Sequence, residues 1–599
     1  MLRNLVIGFS LVGLLAIPLG CGGEETAEPA DEFGVEAGDV DENGKPSLGD
    51  TGWQESAGKA DALTGRRGLA VSADNTNLQV WKVSNAWDDT DTPAARKAGM
   101  AWGEDSGLNW DEKYSRWVES LEKVDAHSWG KTMSLTTPWG KTLDSPALEC
   151  AEVAMFLRIT FASWYELPFF LEARDRQGNR LYFGHMGIRT AAGRYGSMPR
   201  FRSSYQDHSS KADAFRAGEI EWPSDAKLRS RKIVGSFDDA QPMIGPDAHA
   251  GAYFDEIFLN KRVGYFMLIT LTYFGSVNLV DSAQTFNVKA EATRPGDVLL
   301  ERWQANGIGH TLVVLQRTDL GTIELDGETV PTFEIELASG SMPRRQPRWD
   351  NSAGSKRYLT NNMMGGPGYE DFRGGMKRWR TAANVGGQWT NIVPATSADD
   401  WMDSRKKDEL AARIARFDAI LTELSPDEKL KALEEVVDGK RMHLRQFPAS
   451  CSARIGREDA FKELYEVGEE LGRTQLEMDR EYRRLEDYVF VELEYNKSKT
   501  CCWNSSTGVM YDLVMEYNRM MAEDPVTGEC REVVAFKNRA DGGDGFEIFR
   551  EFAEAKGMGE EWVKWSADES CPQADIAEAT EAAHAWTELC SVYESLPTE

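Results

Sequence analysis

Apolar positions follow two different rhythms along this chain. From Cys150 to Tyr165 they run nearly all round a helical turn: Ala151, Val153, Ala154, Phe156, Leu157, Ile159, Phe161, Trp164 and Tyr165 leave no broad polar stripe. That pattern predicts a buried central helix. Ser145 and Pro146 predict its start, the serine as cap and the proline as first helical residue. Residues 263–277 predict a second buried helix, and 110–124 a third with Tyr114, Trp117, Leu121 and Val124 near one face. Short apolar or alternating runs predict strands at 133–137, 167–173, 181–185, 298–300, 311–316 and 332–338. The 298–300 and 311–316 strands are introduced by Arg294-Pro295-Gly296-Asp297 and separated by the Gly307-Ile308-Gly309 loop. This leaves His310 at the head of a strand, sharing a face with Leu312 and Val314. Residues 190–255 read as a long irregular insertion, and 343–400 as a loop-rich stretch of Arg and Trp.

Near Trp401 the beta-branched runs stop and Glu, Lys, Leu, Ala and Met take over. Helices are expected at 408–424, after the Ser425-Pro426-Asp427-Glu428 capping box, and at 457–494 with a break near Gly468 or Gly472. Three more are expected near 506–521, 545–556 and 573–594. The expected organisation is therefore an α+β domain over 61–400, with its insertion near 190–255, then an all-helical domain over 401–599.

Length and charge narrow the functional classes. The 599 residues exceed one ordinary core. A formal net charge of -30 argues against nonspecific binding to nucleic acid, which needs clustered Lys and Arg for phosphate contacts. Arg3, an apolar run from Leu5 to Leu19 and Gly20-Cys21-Gly22 form an export leader, 1–20. A small residue directly before Cys21 resembles the lipobox of bacterial lipoproteins. The resemblance implies lipidation of Cys21 and a membrane-lipid partner, hence an envelope location facing the periplasm or the cell surface. Residues 21–60, acidic and rich in Gly, Ala and Pro, then read as a disordered tether.

Of the 8 cysteines, Cys451, Cys501, Cys502, Cys530, Cys571 and Cys590 all fall in the helical part. In an exported chain they are disulfide candidates, with the pairing left open. They show no zinc-ligand spacing, and no phosphate-binding glycine loop or dinucleotide fingerprint occurs, so no metal or cofactor is expected.

Cys150 stands apart from both groups, at the front of the apolar helix. A helix N-terminus and an imidazole both favour a thiolate, so Cys150 with His310 is the candidate nucleophile–base pair. Leu148-Glu149-Cys150-Ala151-Glu152, then Arg294-Pro295-Gly296-Asp297-Val298-Leu299, then Gly309-His310-Thr311 resembles the papain-like cysteine hydrolases. The likeness is to the NlpC-like cell-wall peptidases and their amidase and acyltransferase relatives. It implies a papain-like core, a helix packed on an antiparallel sheet, and hydrolysis of peptide or amide bonds, peptidoglycan among them, through a thioester. It also implies a third polar group on the next strand, for which Glu336 is the first choice and Glu334 and Gln346 are further candidates. Glu149 and Ala151 depart from the family's usual flanking residues. Tyr182-Phe183-Gly184-His185 resembles the histidine region of transglutaminase-like proteases, which makes His185 an alternative base, oriented by Asp175 or another acid, and transglutaminase-like acyl transfer by Cys150 and His185 an alternative activity. A non-catalytic envelope protein that binds peptides or sugars through its helical domain or its 343–380 stretch is the remaining alternative.

Overall fold

The computed structural model describes residues 69–593, apart from 128–129, 175–178, 197, 234–248, 282, 303–308, 342–343, 361–373, 404–405, 449, 492, 495–506, 522–528, 537–543, 563–579 and 582–587. Its architecture is α+β. The centre is a six-stranded antiparallel sheet of β1 (Thr285–Asn287), β2 (Val298–Arg302), β3 (Gly309–Leu325), β4 (Glu328–Ser339), β5 (Arg348–Trp349) and β6 (Gly375–Trp379), in the order β5-β4-β3-β2-β6-β1. β3 and β4 form a hairpin turned at Asp326-Gly327, both with positive φ. These strands outrun the apolar cores that predicted them, because polar residues on the projecting part of the hairpin continue the same ladder.

Each face of the sheet is covered differently. α1 (Cys150–Trp164) packs on the face made by Val298, Leu300, Val313, Leu315 and Ala338, in a core shared with Trp117, Phe254, Phe266 and Leu271. Twelve of its 15 residues are buried, as its all-round apolar pattern requires. The opposite face, with Leu299, Leu312, Val314, Ile335, Leu337 and Met376, is covered by Leu359 of α2 (Ser352–Leu359), by Phe417 and Ile420 of α3 (Arg413–Ile420), and by Leu421. The core of the α+β part thus extends past residue 400, through Trp401 and as far as Leu421.

The beginning of α1 differs from the sequence expectation. Ser145 and Pro146 do not open it: the helix starts at Cys150, and Leu148 is extended. The Leu148 N–H donates to Arg345 O at 2.9 Å and Leu148 O accepts from Ser341 N–H at 3.2 Å. These ladder bonds satisfy the backbone of Leu148 outside a helix, and they outweigh the local cap signal.

The 343–400 stretch also contains more order than its composition suggested. Besides β5, α2 and β6 it holds a hairpin of Thr381–Val385 and Gln388–Ile392. Its basic-aromatic side chains are internal: Arg344, Arg378, Arg380, Trp349 and Trp379 are buried. The candidate contact surface in this stretch is therefore largely core.

Beyond Leu421 the chain is mostly helical, led by α4 (Pro426–Gln446) and α5 (Cys451–Glu470). Ser425 and Glu428 cap α4 reciprocally, as their spacing predicts. The helical stretch expected over 457–494 breaks where Gly472 adopts a φ of 73°, as expected: α5 ends at Glu470, and Gln475–Tyr482 and Leu485–Val489 follow as separate helices. α4 packs on α2, and Asn351 Nδ2 donates to Glu435 Oε2 at 2.7 Å, which joins the helical part to the sheet.

Candidate active site

Cys150 is held by backbone and charge together. It is the first helical residue of α1, and the Glu149 N–H just before it donates to Glu152 Oε2 at 2.8 Å. Arg344 grips the same carboxylate, with Nε 2.9 Å from Oε2 and Nη2 2.8 Å from Oε1. Gly340 runs alongside: a Cβ there would lie 2.1 Å from Leu148 O, so only glycine allows the two backbones to pass. At that point β4 leaves β3 and the head of α1 takes its place. The backbone N–H groups of Thr311 and Ala151 are directed at the Cys150 sulfur.

The turn before β2 fixes the other side. Gly296 has a φ of 90°, and a Cβ there would meet Tyr114 Cε1 at 2.5 Å. The carboxylate of Asp297 is buried and accepts from Arg378 Nε at 2.8 Å and Nη2 at 3.0 Å, and from the Arg294 N–H at 3.0 Å. The Pro-Gly-Asp turn is thus an internal brace for the start of β2.

The structure brings Cys150 to the peptide that joins His310 and Thr311. The pleat gives the pair an unequal aspect. Thr311 has the parity of Val313 and Leu315, which face α1, whereas His310 shares the parity of Leu312 and Val314 on the opposite face. His310 therefore projects toward the face away from α1, on the stretch of β3 that β4 no longer pairs. It also lies within the electrostatic reach of Arg345, Lys440 and Arg348.

Both groups are held neutral. Burial, followed by the Glu149 charge, pushes the Cys150 thiol up to about 12, against the opposing N–H groups of Thr311 and Ala151. Burial, then the positive charges of Arg345, Lys440 and Arg348, push His310 down to about 3. Glu149 and Glu152 at the head of α1 offset the helix dipole that would otherwise favour a thiolate.

The other candidates are placed elsewhere. Glu336 lies opposite Gln316, far along the hairpin from His310; its Oε2 accepts from Trp349 Nε1 at 2.6 Å and Lys123 Nζ at 3.0 Å. It does not orient the imidazole, because its strand pairs with β3 further from the open edge. Glu334 lies further still, opposite Thr318. Gln346 is engaged by the His127 N–H at 2.7 Å and by Ser145 O at 2.8 Å.

His185 is fully buried, with Nδ1 2.9 Å from Phe169 O and Nε2 3.4 Å from Asp74. Phe169 follows the far end of the 15-residue α1, about 22 Å of helix from Cys150, so His185 is not its base. Asp175 and Cys21 lie outside the described residues, as do Cys501, Cys502 and Cys571 and the side chain of Cys451. Cys530 and Cys590 form a disulfide. Among the described residues no cluster suited to a metal ion occurs, and no helix is long and apolar enough to cross a membrane.

Three more residues join the site, Arg345 from the basic-aromatic stretch and two that no sequence pattern singled out. Arg345 precedes Gln346, and Lys440 and His443 come from α4 in the helical part. His443 is also pushed down to about 3, by burial and then by Arg345 and Lys440, the same two cations that act on His310. The spacing of Lys440 and His443, three apart on one helix face, was visible; its docking beside β3 was not. No protein family, curated protein or solved structure matches the chain.

Proposed function

We propose that the chain is an envelope-anchored cysteine hydrolase of papain-like type, tethered through Cys21, which cleaves peptide or amide bonds at Cys150. The observation that carries this reading is the helix-heading sulfur placed at the His310–Thr311 peptide, with two backbone N–H groups aimed at it. In the reaction Cys150 Sγ forms a bond to the carbonyl carbon as its proton passes to His310. The C–N bond breaks, the departing amine takes that proton, and water then cleaves the thioester to release the acid and restore the thiol. Because thiol and imidazole rest neutral, the proton moves during attack rather than beforehand.

A second reading, a non-catalytic envelope protein that retains this core for binding, is favoured by the parity of His310 and the high resting pKa of the thiol. Incubation of the full chain with peptidoglycan fragments, read by mass spectrometry for newly hydrolysed amide bonds, separates the two. Cleavage lost in both Cys150→Ala and His310→Ala supports the hydrolase. Cleavage unchanged in Cys150→Ala, or none by the wild type, removes it in favour of binding.

A further inference from the structure

Further along α1 a second group of buried polar side chains surrounds a small space. Arg158 is buried about 12 Å along the helix from Cys150. The rings of Trp87 and Tyr114 lie against its guanidinium, with centroids 3.8 Å and 4.5 Å from Cζ, so its hydrogen bonds leave only in its own plane. Nη2 donates to Asp111 Oδ1 at 3.1 Å. Nη1 is buried and has no hydrogen-bond partner. Asp111 does not serve Arg158 alone, because Arg294 Nη2 donates to its other oxygen. One carboxylate thus answers two guanidiniums.

Arg158 lines a cavity of about 10 Å³ together with Trp87, Gln284, Trp379, Arg380 and Asn391. Trp379, the last residue of β6, is buried, and its indole Nε1 is a second donor with no hydrogen-bond partner. Arg380 brings another guanidinium to the wall. Two amides there are engaged with the surrounding backbone. Gln284 Oε1 accepts from the Glu172 N–H at 3.2 Å and Gln284 Nε2 donates to Glu172 O, while Asn391 Nδ2 donates to the carbonyls of Phe170 and Ala283 at 3.1 Å and 3.0 Å. Among the described residues no carboxylate lines the space. The wall therefore offers buried N–H donors and positive charge, with no negative group to receive them. Donors left unmet in the interior cost free energy, and a charged acceptor recovers more of it than a neutral one. A water could accept from these donors, but it would need acceptors for its own two hydrogens. The space admits one water-sized group, which excludes sulfate, phosphate and carboxylates.

We propose that this cavity binds a chloride ion, held by Arg158 Nη1 and Trp379 Nε1. The ion supplies the negative charge that Asp111 cannot give to Arg158 and Arg294 at once, and it ties the middle of α1 to the end of β6. The site is separate from Cys150 and independent of the hydrolase reading, so a chain that cleaves nothing would still bind the ion.

Bromide, which substitutes for chloride and scatters anomalously, gives the direct test. A crystal of the full chain grown in sodium bromide is expected to show an anomalous peak between Arg158 and Trp379. In solution, thermal unfolding is followed while gluconate is exchanged for chloride at constant ionic strength, in the wild type and in Trp379→Phe, which keeps an aromatic ring and loses the N–H. General effects of the two salts act on both proteins alike, so the difference between them reports the site. Chloride is expected to raise the wild-type Tm by about 2 °C more than that of the variant. Water in the cavity of the bromide crystal, or bromide on the protein surface only, overturns the proposal, and so does an equal chloride effect in the two proteins. If Trp379→Phe does not fold, the wild-type crystal decides.

Discussion

The Arg344 guanidinium holds Glu152 through two nitrogens, Nε and Nη2, in the first turn of the helix that Cys150 heads. Both side chains are almost completely buried. Removing the cation strands a carboxylate in the core, so Arg344→Ala is expected to cost about 3–5 kcal/mol in urea unfolding. The double variant Arg344→Met with Glu152→Leu should recover part of that loss, because the Glu152 charge leaves with its partner while Glu149 still loses its 3.5 Å contact with Arg344.

Gly340→Ala is a test of how the cysteine is seated. The added Cβ would fall 2.1 Å from Leu148 O and 2.7 Å from Glu149 O, against backbone that cannot rotate away. The segment before Cys150 must shift, and stability should fall by about 1–3 kcal/mol. Iodoacetamide labelling of Cys150 should accelerate, since the shift loosens the burial that raises the thiol pKa.

Stability should depend on pH through the two histidines. Both fold with a pKa near 3, below the ordinary 6.5. Between these values the unfolded chain binds protons that the folded chain does not, so stability rises with pH across that window and falls as pH drops from 6.5 toward 3. Each histidine contributes a slope of up to about 1.4 kcal/mol per pH unit. His443→Asn should flatten the curve by no more than that amount in urea unfolding measured from pH 4.5 to 7. An unchanged slope would place His443 in solvent.

Glu336→Ala should leave Cys150 labelling unaltered. Its carboxylate serves Trp349 and Lys123, and its loss should cost about 1 kcal/mol of stability.

The Cys530–Cys590 bond closes a 60-residue separation, and Cys590→Ser should lower the stability of the helical part by about 4 kcal/mol. Thermal unfolding followed by circular dichroism would record it.

These contrasts show where the sequence was informative. The all-round apolar run marked α1, because helix periodicity is a local property, and the lone cysteine at its head singled out the candidate site. The start of α1 was misplaced since the bonds of Leu148 come from Arg345 and Ser341, nearly two hundred residues away in the chain. Glu336 was the natural choice beside a histidine strand of six residues, but β3 spans 17, and the register of a long hairpin is not written in either strand alone. Lys440 and His443 come within reach of Arg345 through the packing of α4 against α2, and Arg345 itself is placed by its bridge to Leu148.

The covering of the sheet by Phe417, Ile420 and Leu421 has a consequence for how the protein is made. The strands are complete by Trp379, yet the part of that face not covered by Leu359 keeps its apolar side chains exposed until the chain has been synthesised past Leu421. A growing polypeptide must protect that surface through some forty further residues, during which it is a target for chaperones and for self-association. A truncation after residue 400 would fix the chain at that stage, so a stop codon there should yield aggregate, whereas one that spares Leu421 would keep the face closed.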